Sequence, residues 1–424
     1  MSAVKPCDVP PGFDWVRRMS GWKKEKGALR LELQTAWGRE AQLRLEVLGP
    51  DIHRWTFTPA GAALRRPPTG IVCAGPCGAN WSVKERPGGI ALAGPRLSLE
   101  IDADPWAMRF VDARGRPVFA ENPGDVDGLG RPFVPPLGFV RVGRRIASVS
   151  QSFHLRPDEH LYGLGEKFTR LDKSGQRIVS WTQDALGSTS ERSHKNVSFL
   201  WSTKGWGIVI DSGARITWEL GTRSCQSFTI EAEDDVFDAY LIHGPDPARI
   251  LSRYAALTGR APVPPKWSFG LWLSSGGTYR TQDELERLID GALEHGLPFD
   301  VVHIDPWWMR RRHYCDFRWD REAFPDPDGL IRKLHGLGLR LCLWEHPYVS
   351  IESDLFALGK RKGYFVRRPD GGDGAQSLSA SLQPRRDRSD ARGARLRTGL
   401  EPLGDGGKPA LSGRLVGRSG GRLG

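Results

Sequence analysis

The sequence predicts a multidomain chain in which an antiparallel β-sandwich precedes an α/β domain. Three observations lead there. At 424 residues the chain exceeds what one ordinary core accommodates. Residues 27–260 form short β-rich runs broken by Gly and Pro, and beyond residue 266 strand and helix patterns alternate.

The β-rich part includes runs at 29–33, 42–48, 97–101 and 208–210, the pattern of an antiparallel sandwich. Residues 246–257 read as a helix that closes it, with Pro247 in the first turn and Ile250, Leu251, Tyr254 and Leu257 on one face. Three prolines in residues 261–266 predict a stiff connection. A strand at 267–273, a helix at 281–295, a strand at 299–304, a helix at 327–337 and a strand at 339–344 follow, with a further element opening at Tyr364. Such alternation implies parallel strands joined by right-handed crossovers, in an α/β barrel or an open sheet. The expected divisions are 1–260, 261–370 and 371–424. The last segment has no Phe, Trp or Tyr and is rich in Gly, Arg and Ser, so disorder is expected there. A native linker would explain that composition, but a shifted reading frame is the expectation adopted.

A net charge of +11 raises the question of a nucleic-acid partner. Residues 371–424 hold ten Lys or Arg against five Asp or Glu, leaving +6 for everything before. With no basic stripe interleaved with aromatics, no nucleic-acid partner is expected, and Arg310, Arg311 and Arg312 read as solvated surface. The six cysteines include no CxxC pair, and no run of 18 apolar residues exists. A reduced, cytoplasmic location with no membrane is therefore expected, and the sequons at Asn80 and Asn196 are expected to stay unmodified. Sixteen Trp suit either core packing or sugar rings.

Residues that follow the alternating strands are where an α/β domain builds its site. They are Ser274 and Ser275, then Asp305 to Trp308, then Glu345 and His346. Asp305, with Trp307 and Trp308 beside it, reads either as a carboxylate for sugar hydroxyls or as a helix cap. Glu345 offers a possible second carboxylate, the pair that glycoside hydrolysis requires. Gly163-Leu-Gly165 lacks the third glycine of a dinucleotide fingerprint. No GxSxG elbow is present, and His243, His295, His313 and His346 lack metal-ligand spacing, so neither cofactor nor metal is expected.

Several ordered motifs resemble the α-xylosidase and α-glucosidase branch of glycoside hydrolase family 31. They are Tyr162-Gly-Leu-Gly-Glu-Lys-Phe168, His194-Lys-Asn196, Leu257-Thr-Gly-Arg260 and Pro264-Pro-Lys-Trp-Ser-Phe-Gly-Leu-Trp-Leu273. His303-Ile-Asp305 with Trp308, Cys315-Asp-Phe317, Phe324-Pro-Asp-Pro327, and Leu343-Trp344 with Pro347-Tyr348 continue the series. The resemblance implies a galactose-mutarotase-like β-sandwich followed by a (β/α)8 barrel, of which the first three or so strands are expected here. It implies retaining hydrolysis of terminal α-glucosyl or α-xylosyl residues, with an α-linked oligosaccharide or glycoside as partner. It also implies that Asp184 reaches the site on a sandwich loop, that Asp305 binds hydroxyls, and that Tyr314 and Trp344 shape the pocket; Trp307, beside Asp305 where α-xylosidases carry smaller or different residues, is expected at the substrate site as well.

Three departures qualify this. The family's nucleophile and acid/base Asp follow later strands, so no catalytic residue is carried over and the chain alone is expected to be inactive; a non-catalytic sugar-binding role is the alternative. Glu345 stands where relatives carry a neutral residue, and Gly276-Gly277 stands where α-xylosidases carry an aromatic. The latter predicts a roomier edge that admits the hydroxymethyl group of glucose.

Overall fold

In the computed structural model the described residues are 12–62, 69–73, 80–122, 134–183, 185, 187–274 and 276–367. Asp184 and the segment 371–424 lie outside them. The chain divides into two compact units, Met1–Pro262 and Val263–Gly424.

The first unit is β-rich, and its strands pair antiparallel throughout the described residues. The runs expected at 29–33, 42–48, 97–101 and 208–210 are the strands Ala28–Thr35, Glu40–Gly49, Leu97–Ala103 and Trp206–Ile210. Alternation of Leu and polar residues does the work: Leu29, Leu31, Leu33, Leu43 and Leu45 are buried, and their neighbours face outward.

One sheet of thirteen described strands runs, in spatial order, through Leu161–Gly165, Asn196–Ser202, Trp206–Ile210, Phe237–His243, Ile52–Pro59, Glu40–Gly49 and Ala28–Thr35. It continues through Phe13–Glu25, Gly138–Val142, Arg145–His154, Ser227–Ala232, Ile216–Ser224 and Gln176–Ser180. Phe13–Glu25 is the hinge of this arrangement. Its first three residues pair with Gly138–Val142 and the remainder with Ala28–Thr35, across two irregularities of register. Asp14, fully buried at the switch, is held by Thr35 Oγ1 at 2.8 Å, Trp37 N at 3.1 Å and Arg39 Nη1 at 3.0 Å.

Rings from the two halves of the sheet meet across the core. Trp206 stacks on Phe228 at 5.3 Å, and Trp55 meets Phe153 edge-on at 6.2 Å while its Nε1 donates to Gln151. A five-stranded sheet, Ser82–Arg86 to Pro117–Ala120, adds Leu99, Ile101, Met108 and Phe110 to the same core. Trp55, Trp106, Trp206 and Trp218 are thus core residues, each with its indole N–H satisfied. The expected helix is Pro247–Thr258, capped by Asp246, whose side chain accepts from Arg249 N. Leu251, expected on its buried face, is exposed instead, while Ile250 and Leu257 are buried.

The second unit contains three described parallel strands, in the order Trp272–Leu273, Val301–Ile304, Arg340–Leu343. The crossovers are the helices Gln282–Glu294 and Pro327–Gly336, whose buried Leu285, Ile289, Leu330 and Leu334 pack with Val302 and Ile304. The strand expected over 267–273 is shorter than that. Lys266–Phe269 is a 3₁₀ turn because Ser268 Oγ donates to the Pro265 carbonyl, and Trp272 Nε1 then takes the Ser268 carbonyl. These local bonds compete with ladder formation and leave Trp272–Leu273 to pair. A helix at Asp354–Lys362, capped by Ser353 and closed by left-handed Gly363, precedes Tyr364.

Thr281 and Glu284 form a reciprocal capping box at the start of Gln282–Glu294. Thr281→Ala should lower the stability of the second unit by about 1 kcal/mol in urea denaturation, with the first unit's transition unmoved.

Candidate functional site

Strand register sets the site. His303 lies beside Cys342 and Ile304 beside Leu343, and Trp344 N donates to the Ile304 carbonyl at 2.8 Å. The residues that follow each strand, Ser274, Asp305 and Trp344, therefore lie at the same carboxyl edge of the sheet. Ser274 Oγ bonds His303 Nδ1 at 3.0 Å across the first pair.

Asp305 occupies the cap position of the 3₁₀ turn Pro306–Trp308, yet its side chain makes no capping bond. Its Oδ2 is buried and has no hydrogen-bond partner. That disposes of the helix-cap reading and leaves an acceptor aimed at nothing in the protein. An acceptor that finds no partner within the protein has its hydrogen-bonding capacity left for a ligand hydroxyl.

Around it stands an aromatic wall. Trp307 Nε1 donates to the Gly277 carbonyl at 3.1 Å, the Arg280 guanidinium lies 4.6 Å from its ring centroid, and Tyr314 meets it edge-on at 6.4 Å. Burial pushes the Tyr314 hydroxyl above its usual range, with Arg311 and Arg280 opposing. Trp308 is buried and donates from Nε1 to the Trp344 carbonyl at 2.9 Å. Of the basic triplet, Arg311 and Arg312 are exposed as expected, whereas Arg310 pairs with buried Asp316 at 2.6 Å.

One expectation changes. Gly277 does not open a roomy edge: a Cβ there would lie 3.0 Å from Trp307 Nε1, at a φ of +94° that disfavours side chains, so the indole already fills that space. Glu345 is exposed. Among the described residues no group of three or more His, Cys, Asp or Glu is arranged to hold a metal ion.

Sequence reasoning missed one feature. Cys315 and His346, 31 positions apart, meet with Sγ 3.2 Å from Nδ1. Spacing rules search short intervals, and only the strand order brings these loops together.

In the first unit a cavity of about 510 Å³ is lined by Trp181, Thr182, Asn196, Ser198 and Tyr254 among others. Its polar groups are largely engaged: Lys167 Nζ binds Asn196 Oδ1 and the Val179 carbonyl, and Trp218 Nε1 binds Ser180 Oγ.

Comparison with known proteins follows this geometry. Residues 42–219 match the family 31 N-terminal galactose mutarotase-like domain, and residues 261–387 match the family 31 TIM-barrel domain. The α-xylosidase XylQ of Lactiplantibacillus pentosus is 41% identical over 215 residues, 50% of this chain and 28% of that protein. Alpha-glucosidase 2 of Bacillus thermoamyloliquefaciens is 27% identical over 330 residues, 76% of this chain and 39% of that protein. The chain thus spans between about a quarter and two fifths of these relatives. Among solved structures, the family 31 dextranase of Flavobacterium johnsoniae complexed with isomaltotriose superposes with a TM-score of 0.72 at 20% identity, over 85% of this chain and 44% of that one. A soil-metagenome α-xylosidase complexed with xylose gives 0.68 at 21% identity, over 82% and 50%. Both likenesses concern the fold. Two family domains matched in chain order, on a scaffold that puts Asp305 and Trp344 at one sheet edge, lead to one conclusion: the chain belongs to glycoside hydrolase family 31.

Proposed function

We propose that the second unit binds the terminal α-xylosyl or α-glucosyl residue of an α-linked glycoside, within the retaining hydrolysis of carbohydrate metabolism. The observation that carries this reading is the buried, unpartnered Oδ2 of Asp305 at a strand's carboxyl end. In it, Asp305 accepts hydrogen bonds from sugar hydroxyls, and Trp307, Tyr314 and Trp344 wall the ring. Asp184, outside the described residues, is proposed for sugar recognition on its sequence match alone. On this reading the first unit is a β-sandwich and the three parallel strands begin a (β/α)8 barrel.

Xylose is favoured over glucose. The Trp307 indole closes the edge at Gly277 that was expected to be roomy, and the relative at 41% identity is an α-xylosidase. Binding without turnover is the reading for the chain by itself, because no described residue matches the family's nucleophile or its acid/base Asp. Hydrolysis needs two cooperating carboxyls. The cysteines among the described residues, Cys73, Cys225, Cys315 and Cys342, are all free, which favours a reduced, cytoplasmic setting.

Calorimetry with methyl α-xyloside, methyl α-glucoside and their β-anomers tests this. The α-xyloside should bind most tightly, and Asp305→Ala should weaken it at least tenfold, as loss of hydrogen bonds to a charged group requires. Equal binding by the Ala variant would remove Asp305 from the site. Release of nitrophenol from an aryl α-xyloside by the chain, abolished in that variant, would overturn the binding-only reading.

A further inference from the structure

We infer that Cys315 and His346 are positioning residues, a thiol–imidazole clamp that ties the loop after Val301–Ile304 to the loop after Arg340–Leu343 and fixes Trp344 at the sugar-binding edge. The inference rests on the glycoside reading above for its functional consequence, and on hydrogen-bond chemistry for the clamp itself.

The proton positions follow from what each partner can do. Tyr348 N donates to His346 Nδ1 at 3.2 Å, and a backbone amide has no other role to play. Nδ1 is therefore the acceptor nitrogen, and Cys315 Sγ–H, 3.2 Å away, shares its single lone pair with that amide. The same sulfur accepts the His346 amide at 3.5 Å. Cys315 and His346 thus meet twice, thiol to ring nitrogen and backbone amide to sulfur. Burial raises the Cys315 thiol above its usual range, in keeping with an S–H donor rather than a thiolate.

Both sides of the clamp bear on the site. On one side Cys315 is 1% exposed and has a φ of +60°, an unfavourable conformation for any residue with a side chain. Its neighbours Arg312 and Phe317 share that region at +69° and +58°, so this loop is held open against its own backbone preferences. Its amide points at Met309 Sδ, 3.1 Å away, a weak acceptor. The two contacts with His346 join Cys315 to the neighbouring loop, beside Ser350, which donates from N to the Tyr314 carbonyl at 3.1 Å and from Oγ to the Arg312 carbonyl. On the other side the His346 ring sits edge-on to Trp344 at 4.6 Å and to Tyr348 at 5.2 Å. Trp344 has its backbone pinned by Ile304 and by Trp308 Nε1, and His346 fixes its ring. Rotation of His346 would release that indole.

Four variants of the full chain test this by two readouts. Hydrogen exchange of the His346 and Tyr348 amides reads the clamp without any sugar; affinity for methyl α-xyloside reads its consequence. Cys315→Ala should deprotect the His346 amide, and His346→Leu, which has no acceptor, should deprotect Tyr348; each should weaken the xyloside by about tenfold. Cys315→Ser and His346→Asn keep a donor and an acceptor and should restore both readouts to within a few-fold of the unaltered chain. Unchanged exchange in Cys315→Ala and His346→Leu would overturn the clamp. Lost protection with undiminished affinity would overturn its role in placing Trp344. If the unaltered chain binds neither xyloside nor glucoside, the glycoside reading fails and with it the functional half of the inference, and exchange alone then decides the clamp.

Discussion

In urea denaturation followed across pH, the first unit should be nearly level between about pH 4.5 and 6.5 as far as His53 and Glu121 govern it, and should tilt in opposite directions when either is replaced. Both groups are buried in the core. His53 has no partner at either ring nitrogen and packs against Phe110 at 5.7 Å. Desolvation lowers it from 6.5 to about 4. Between those values the unfolded chain binds a proton that the folded chain refuses, so stability climbs as pH rises, by about 3 kcal/mol in all.

Glu121 does the reverse. It accepts from Trp106 Nε1 at 2.9 Å and Leu137 N at 3.1 Å, but desolvation outweighs these bonds and raises it from 4.5 to about 7. The folded chain then holds a proton that the unfolded chain releases, and stability falls by about 3 kcal/mol as pH rises through that window. The two slopes oppose each other over the shared interval. His53→Leu removes the first and should leave stability falling from pH 4.5 to 7. Glu121→Gln removes the second and should leave stability rising from pH 4 to 6.5. The Gln amide must face one of two donors, an offset of about 1–3 kcal/mol at every pH that leaves the slope readable. A flat profile in both single variants would show that neither group titrates as its burial requires.

The sequence and the structure agree best where local chemistry decides. Helix starts at Pro247, Gln282 and Pro327 follow Asp246, Thr281 and Asp326, whose side chains each accept a backbone N–H of the first turn, and such caps are written in the residue order. Ser353 before Asp354–Lys362 is the same signal. The strand over 267–273 failed for a local reason as well, since Ser268 and the prolines before it favour a turn.

What the sequence withheld is non-local. Nothing in residues 13–25 reveals that three of them pair with 138–140 and the rest with 28–35. Asp305 and Trp344 could be nominated because each follows a parallel strand, a positional rule that survives ignorance of the packing. Their neighbours could not. That Trp307 would lie on Gly277 and fill a space expected to be open depends on where an indole turns after Pro306, which no pattern encodes.

Replacing Asp305 by Leu should make the chain more stable while it loses the sugar. The Oδ2 atom is buried without a partner, and removing such a group in favour of an apolar one of similar size relieves a penalty on the order of 1–3 kcal/mol. Binding sites commonly hold such unrelieved groups, since what destabilises the empty protein is what the ligand satisfies. Thermal denaturation of Asp305→Leu should therefore show a raised Tm, insensitive to methyl α-xyloside, whereas the unaltered chain should start lower and rise with the ligand. Glu345→Leu supplies the contrast. Its carboxylate is exposed, so its replacement should shift stability by no more than about 0.5 kcal/mol and leave binding intact. A lowered Tm in Asp305→Leu would mean that the carboxylate holds the fold together, and the hydroxyl-binding role would then have to be given to another residue.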